Sequence, residues 1–157
     1  MFNKFLIALT VTSWPVICTA DTIKYTFDVS SYSYEETVDG SFFMKDESAP
    51  AFYSVGVRNW SKPLEHEKYN IGYTAEYVFG STDYTSDGTG TASGTPYSKL
   101  RLESYTIFQG SKNVTPYLGL GYRRLHTDGG GMTSSTGSSA YDRLSQYYYL
   151  PVGAFIA

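Results

Sequence analysis

Apolar and polar residues alternate along six segments of this chain, and this alternation restricts its fold more than any other feature. A period of two residues predicts β-strands that each carry one apolar and one polar face. Each segment has about the ten residues that a tilted strand needs to cross a bilayer. The six segments are residues 22–34, 51–60, 68–80, 97–109, 114–125 and 142–156.

The composition favours an all-β protein with a single domain. The chain of 157 residues contains 16 Tyr, 9 Phe and 15 Gly, and only 17% of its residues are charged. This length leaves no room for a second core. A formal charge of −3 without a Lys/Arg cluster predicts no nucleic-acid partner. No apolar run of 18 residues follows residue 20, so a transmembrane helix is not expected.

The first twenty residues differ from the rest of the chain. A lone cation, Lys4, precedes an apolar stretch over residues 5–11, and the segment ends in Cys18-Thr19-Ala20. This order predicts a signal peptide over residues 1–20, cleaved after Ala20, and a mature domain over residues 21–157. A buried N-terminal helix and a lipoprotein signal at Cys18 are the alternatives. Cleavage would remove the only cysteine, so the mature chain would contain no disulfide.

The connections between the segments alternate in length. Long polar stretches, residues 35–50, 81–96 and 126–142, follow the first, third and fifth segments, whereas the other two connections are shorter. Long loops at one end and short turns at the other are typical of an antiparallel up-and-down transmembrane β-barrel, whose long loops lie outside the cell.

A soluble, lipocalin-like barrel would alternate in the same way, but its apolar face would lie inside. The glycines at 56, 72, 119 and 121 share the polar face, where they would leave holes in a soluble core. In a membrane barrel they make room inside the lumen, so we predict the transmembrane form. Charges in such a lumen must pair, and we expect them to plug the barrel. The predicted lumen charges are Lys24, Asp28, Arg58, Glu76, Arg101, Glu103 and Arg123.

Two segments resemble a known family. "VTPYLGLGYRR" and "QYYYLPVGAFIA" are similar to the Pro-Tyr-aliphatic-Gly and Leu-Pro-aliphatic-Gly strands of small Gram-negative outer-membrane β-barrel proteins, the OmpA/OmpX/opacity-porin-like superfamily. The resemblance implies insertion into the lipopolysaccharide-containing outer membrane by the barrel-assembly machinery. Such barrels have at least eight strands and normally end on an aromatic residue. Six segments that stop at "GAFIA" therefore predict an N-terminal fragment of a larger barrel.

The search for chemistry predicts no enzyme and no cofactor. His66 lies in a short connection, and His126 lies near Asp128 at the outer rim, with Asp83 and Asp87 in a neighbouring loop. A rim histidine with carboxylates could support an outer-membrane hydrolase, although a histidine in a polar loop is usually only solvated. Six loop carboxylates could collect Ca²⁺ but lack EF-hand spacing. They are Asp39, Asp46, Glu47, Asp83, Asp87 and Asp128.

We therefore expect a structural or surface-interaction role: envelope integrity, adhesion, or binding of a host or matrix ligand through extracellular loops. A narrow pore for small solutes is the alternative. The predicted contact residues of the extracellular loops are Phe42, Phe43, Met44 and Tyr84. The first three could instead fold back onto the barrel rim.

The fifth and sixth segments also allow a prediction of register. Pairing Leu125 with Arg143 would place Pro116 opposite Val152 and beside Pro151. Both prolines lack an N–H for the strand ladder, so they would weaken the sheet at the same level along the barrel axis. We expect the prolines to lie within about three positions of each other. The glycines of the fifth segment would make room around Arg123.

Overall fold

The computed structural model describes residues 18–20 and 23–156, and these residues form one antiparallel sheet of ten strands. The rest of the predicted signal peptide lies outside the described residues, and β1 is its last three residues. None of the described residues belongs to a helix that is long and apolar enough to cross a membrane. The strands are β1 (Cys18–Ala20), β2 (Ile23–Ser30), β3 (Ser33–Val38), β4 (Ser41–Ser48), β5 (Phe52–Asn59), β6 (Tyr69–Ser86), β7 (Gly90–Phe108), β8 (Val114–Thr127), β9 (Arg143–Tyr149) and β10 (Val152–Ile156).

The strands follow an up-and-down order. β2 pairs with β5 and β3 with β4, and then β6, β7 and β8 pair in sequence, followed by β9 and β10, which both pair with β8. β2 and β3 follow one another along a single strand line of the sheet, as do β4 and β5, and β9 and β10. Strands β2 to β10 therefore form six strand lines, which correspond to the six predicted segments. The all-β, antiparallel prediction is confirmed. The first and last of these lines are not hydrogen-bonded to each other, so the sheet over the described residues is open.

Two of the three predicted long loops are wrong, because they are β-hairpins. Residues 33–48 form β3 and β4 around Asp39 and Gly40, whose φ angles of 51° and 79° suit a tight two-residue hairpin turn. Residues 81–86 and 90–96 lengthen β6 and β7. The Asp-Gly dipeptide was the sequence signal that could have indicated the first hairpin.

The third predicted loop, residues 126–142, begins with the last two residues of β8, and its remaining residues, 128–142, contain only an isolated bridge between Thr133 and Ser139. It folds against the β6–β7 hairpin rather than extending freely. The Ser135 N–H donates to the Thr91 carbonyl at 2.8 Å, and the Thr136 hydroxyl donates to the Thr89 carbonyl at 2.8 Å. The two extended hairpins and this loop therefore meet at the same end of the sheet.

The two faces of the sheet differ in polarity, as the alternation predicts. The apolar face is exposed, and Leu120 on it is 70% accessible. Pairing registers align one row of apolar side chains across the whole sheet. This row consists of Tyr25, Val57, Ala75, Leu102, Tyr122 and Tyr148.

The sheet is strongly curved, with the polar face on its inner side. Trp60, which follows β5, lies 4.2 Å from the ring of Phe155 on β10, although three strand lines separate them. Tyr32, next to β2, stacks on Tyr97 of β7 with 6.4 Å between ring centroids. Such contacts require the sheet to curl, so we call the polar side the concave face and the apolar side the convex face.

The predicted register between the fifth and sixth segments is wrong by two residues. Leu125 pairs with Ser145, and Pro116 lies opposite Ala154. The Pro151 carbonyl accepts a hydrogen bond from the Gly119 N–H at 2.8 Å, so the prolines lie three positions apart, at the limit of the prediction. A shift of two leaves every side chain on its predicted face.

Candidate functional site

The concave face carries the polar groups of the sheet, and they are arranged in layers. A central charged layer lies between two aromatic layers, and a cavity opens beyond the layer nearest the hairpins. All seven predicted lumen charges lie on this face, as the pairing registers require. They do not all contact one another.

Glu76 is the centre of the charged layer. Its Oε2 lies 3.1 Å from Lys99 Nζ and 3.3 Å from Arg101 Nε, and Arg101 Nε lies 3.9 Å from Glu103 Oε2. Glu76 and Arg101 are direct partners across the β6–β7 pair. Neither Glu76 Oε2 nor Arg101 Nε has a hydrogen bond of good geometry, so these contacts are ionic. Lys99 was missed by the prediction, although it alternates with Arg101 on the same face.

Glu103 is the most enclosed member of this layer, with a side chain that is 8% accessible. The Tyr149 hydroxyl donates to its Oε1 at 2.6 Å, and the Tyr105 hydroxyl donates to its Oε2. Two tyrosines thus stabilise a carboxylate that would otherwise be costly to bury. The alternation pattern did not predict this role for the two tyrosines.

The other four predicted lumen charges have different partners. The Ser54 hydroxyl donates to Asp28 Oδ2 at 3.3 Å. The Arg58 guanidinium lies 4.7 Å from the Trp60 ring, and that of Arg123 lies 5.2 Å from the Tyr147 ring. Lys24 is exposed on β2, where it lies opposite Thr19 of β1. The structure therefore joins three of the seven residues in ion pairs and leaves four outside that network.

Gly121 makes room for a tyrosine rather than for Arg123. A Cβ atom added at Gly121 would lie 2.5 Å from the Tyr149 ring. We expect Gly121→Ala to push this ring away from Glu103 and to lower the unfolding free energy by about 1–3 kcal/mol, as overpacking does. Chemical denaturation measures the change.

Gly88→Ala is the matched control, because an added Cβ there would meet no atom closer than the Ser86 hydroxyl at 4.0 Å. Its effect should stay within about 0.5 kcal/mol. Equal stability of the two alanine variants would contradict the role assigned to Gly121.

Aromatic layers cover both sides of the charged layer. At the short-turn end, Trp60 contacts Tyr105, Tyr117 and Phe155, with ring centroids 4.2–6.2 Å apart. At the hairpin end, Phe52 stacks on Tyr97 at 4.6 Å and on Tyr32 at 5.8 Å. The charged groups are therefore enclosed along the concave face as well as paired.

A cavity of about 640 Å³ opens between the two extended hairpins and the 128–142 loop. Three of the four predicted loop-contact residues line it: Phe43, Met44 and Tyr84. Met44 is buried and Phe43 is exposed. Phe42, the fourth, belongs to β4 and does not line the cavity. The volume of this cavity is in the range of small-molecule binding sites.

Asp46 is the charged residue of this cavity whose hydrogen bonding is incomplete. Its Oδ1 is buried and has no hydrogen-bond partner among the described residues. Burial raises the pKa of the Asp46 carboxyl, and the nearby Asp83 carboxylate raises it further. Thr82 and Arg143 act in the opposite direction. Sequence reasoning named Asp46 only as one of six loop carboxylates.

The structure does not assemble the alternative hydrolase site. His126 lies in β8, opposite Ser98 and Leu144, on the convex face. Over the described ranges, neither His126 nor His66 makes a hydrogen bond or ion pair with a side chain. The same ranges contain no group of three His, Cys, Asp or Glu residues placed to hold a metal ion.

Comparisons with known proteins found no matching family model, no matching curated protein and no matching solved structure.

Proposed function

We propose that this chain is an outer-membrane β-barrel protein whose six strand lines cross the bilayer and whose hairpin end has a surface-interaction role. The observation that carries the proposal is the reversed polarity of the sheet: an exposed, apolar convex face and a polar, charged concave face. A bilayer stabilises the first of these faces, and a hydrated or plugged lumen accommodates the second.

The convex face is too apolar and too continuous to be an ordinary water-exposed surface. Single exposed apolar side chains are normal in soluble proteins, whereas large contiguous patches mark contact with lipid or protein. Here one apolar row crosses all six strand lines. Further exposed aromatic and aliphatic side chains lie on either side of it, among them Phe27, Val55, Tyr77, Leu118 and Val152.

A soluble barrel fits the burial pattern poorly. Among residues 23–156, only Met44, Phe52, Val78, Tyr105 and Ile107 are buried hydrophobic side chains. A soluble domain of this length would need a far larger apolar core to offset its loss of chain entropy. Lipid contact supplies that stabilisation from the outside.

The layers of the concave face favour a plugged barrel over the alternative of an open pore. Ion-paired Glu76, Lys99 and Arg101 lie between two sets of packed rings, which leaves little continuous space for solute passage. The cavity at the hairpin end instead favours binding of a host or matrix ligand from outside the cell. The lipid bilayer, lipopolysaccharide and the barrel-assembly machinery are the other proposed partners, and no catalytic role is proposed.

Reconstitution into lipid tests the membrane part of this proposal. We expect the purified protein to fold into phospholipid vesicles, to float with them in a density gradient after a carbonate wash, and to gain β-structure by circular dichroism. The strands inside the bilayer should resist added protease while the hairpin end is cleaved in one orientation. A protein that is folded and monodisperse in buffer without lipid would contradict the proposal.

A further inference from the structure

The cavity at the hairpin end has the features of a binding site for a small organic cation. Its wall is mixed, with aromatic and apolar side chains beside serine and threonine hydroxyls. Its charged lining consists of two carboxylates, Glu36 and Asp46, and one guanidinium, Arg143. The local charge is therefore negative, and the nearby Asp83 carboxylate adds to it.

The three charged groups differ in what already contacts them. Glu36 accepts a hydrogen bond from the Tyr34 hydroxyl. The Arg143 guanidinium lies 5.0 Å from the Tyr141 ring centroid, in a cation–π contact. Asp46 alone presents a buried oxygen, Oδ1, that no donor of the described residues reaches. A buried acceptor without a donor costs free energy, and because Asp46 lines the cavity, a ligand can recover this cost by donating a hydrogen bond once the carboxylate turns towards it.

We propose that this cavity binds a small amine, with its ammonium group against Asp46 and its apolar part against Phe43, Met44 and Tyr84. A metal ion fits less well, because the described residues contain no group of three ligating side chains. A neutral sugar could donate to Oδ1 but would leave the negative charge uncompensated. An ammonium group supplies both the hydrogen-bond donor and the charge, and aromatic side chains favour a cation near their faces.

The inference deepens the surface-interaction role and rests on it, since the hairpin end must face the medium that supplies the ligand. The amine class follows from Asp46 and not from the bilayer, so the two proposals can fail separately.

Titration calorimetry with benzylamine tests the site, using the protein in polyoxyethylene detergent micelles, whose headgroups are uncharged. Benzylamine stays protonated near neutral pH, as lysine does. Benzyl alcohol and benzoate are the neutral and anionic probes of similar shape. We expect saturable binding of benzylamine, weaker binding of benzyl alcohol and none of benzoate. Equal affinity for benzylamine and benzyl alcohol would overturn the assignment of the charge.

Asp46→Asn keeps the shape of the side chain and removes its charge. We expect it to weaken benzylamine binding by about tenfold or more, in keeping with the loss of a charged hydrogen bond. Asp39→Asn is the matched control. It makes the same change in the turn of the same hairpin, away from the cavity lining, and should leave the affinity unchanged.

A second variant guards against a folding defect in the first. Ala140 lines the cavity from the loop side, so Ala140→Phe should fill the space and abolish benzylamine binding. Unaltered affinity in both Asp46→Asn and Ala140→Phe would overturn the proposal. Vesicle flotation without benzylamine binding refutes only the cavity site, whereas binding in buffer by a protein that does not float refutes only the membrane role.

Discussion

Replacing Leu120 with arginine should lower the unfolding free energy in phospholipid vesicles by about 2–4 kcal/mol, the cost of an arginine near the bilayer midplane on a lipid-facing strand. Leu120 is 70% accessible on the convex face, next to the apolar row at Tyr122. In water the same change at so exposed a site would cost almost nothing. Urea titration of the vesicle-bound protein, followed by tryptophan fluorescence, measures the difference.

Leu64→Arg is the matched control, because it makes the same substitution at an exposed leucine outside the strands. Leu64 is 59% accessible in the connection between β5 and β6. There we expect a change within about 0.5 kcal/mol. If Leu120→Arg is as well tolerated as Leu64→Arg, the convex face does not contact lipid and the proposed membrane role is wrong.

The assignment of faces was the part of the fold that the sequence could predict best. A strand has only two faces, so the alternation alone decides which residues share one. Even the register error in the last two segments kept Leu120 convex and Gly121 concave, because the error was two residues. Whether six strand lines close into a barrel depends on pairing between distant segments, and alternation within one strand carries no information on that.

The extended hairpins were missed because polar residues can also form strands when both faces meet water or a partner hairpin. Residues 81–96 are rich in Ser, Thr and Gly, which favour loops by composition. In the structure, pairing between β6 and β7 continues to Ser86 and Gly90. The cavity follows from this extension, since its walls are the extended hairpins. No local pattern could have predicted it.

The contact partners of the predicted lumen charges also could not be predicted from the sequence. Alternation placed Arg101 and Arg123 on one face, but it could not decide which carboxylate each would reach. Arg101 meets Glu76 across the pair, whereas Arg123 lies over the Tyr147 ring. The choice depends on side-chain length and on the register of neighbouring strands, which pairs Arg101 with Glu76 and Arg123 with Tyr147.

Glu76→Gln should destabilise the protein by about 2 kcal/mol, because it leaves Lys99 and Arg101 without their shared carboxylate in an enclosed layer. The glutamine keeps the volume of the side chain, so packing should not change. The side chain of Glu76 is 21% accessible, and this residual hydration keeps the cost below that of a fully buried pair. Chemical denaturation in micelles gives the value.

Glu47→Gln supplies the comparison, because Glu47 also pairs with a lysine, Lys45, but on a better hydrated part of β4. A surface pair contributes little, so we expect a loss below about 1 kcal/mol. Raising the salt concentration should reduce the Glu47 effect more than the Glu76 effect, since enclosed charges are screened less. Equal and equally salt-sensitive losses would mean that the Glu76 layer is open to water, which would restore the pore as the better hypothesis.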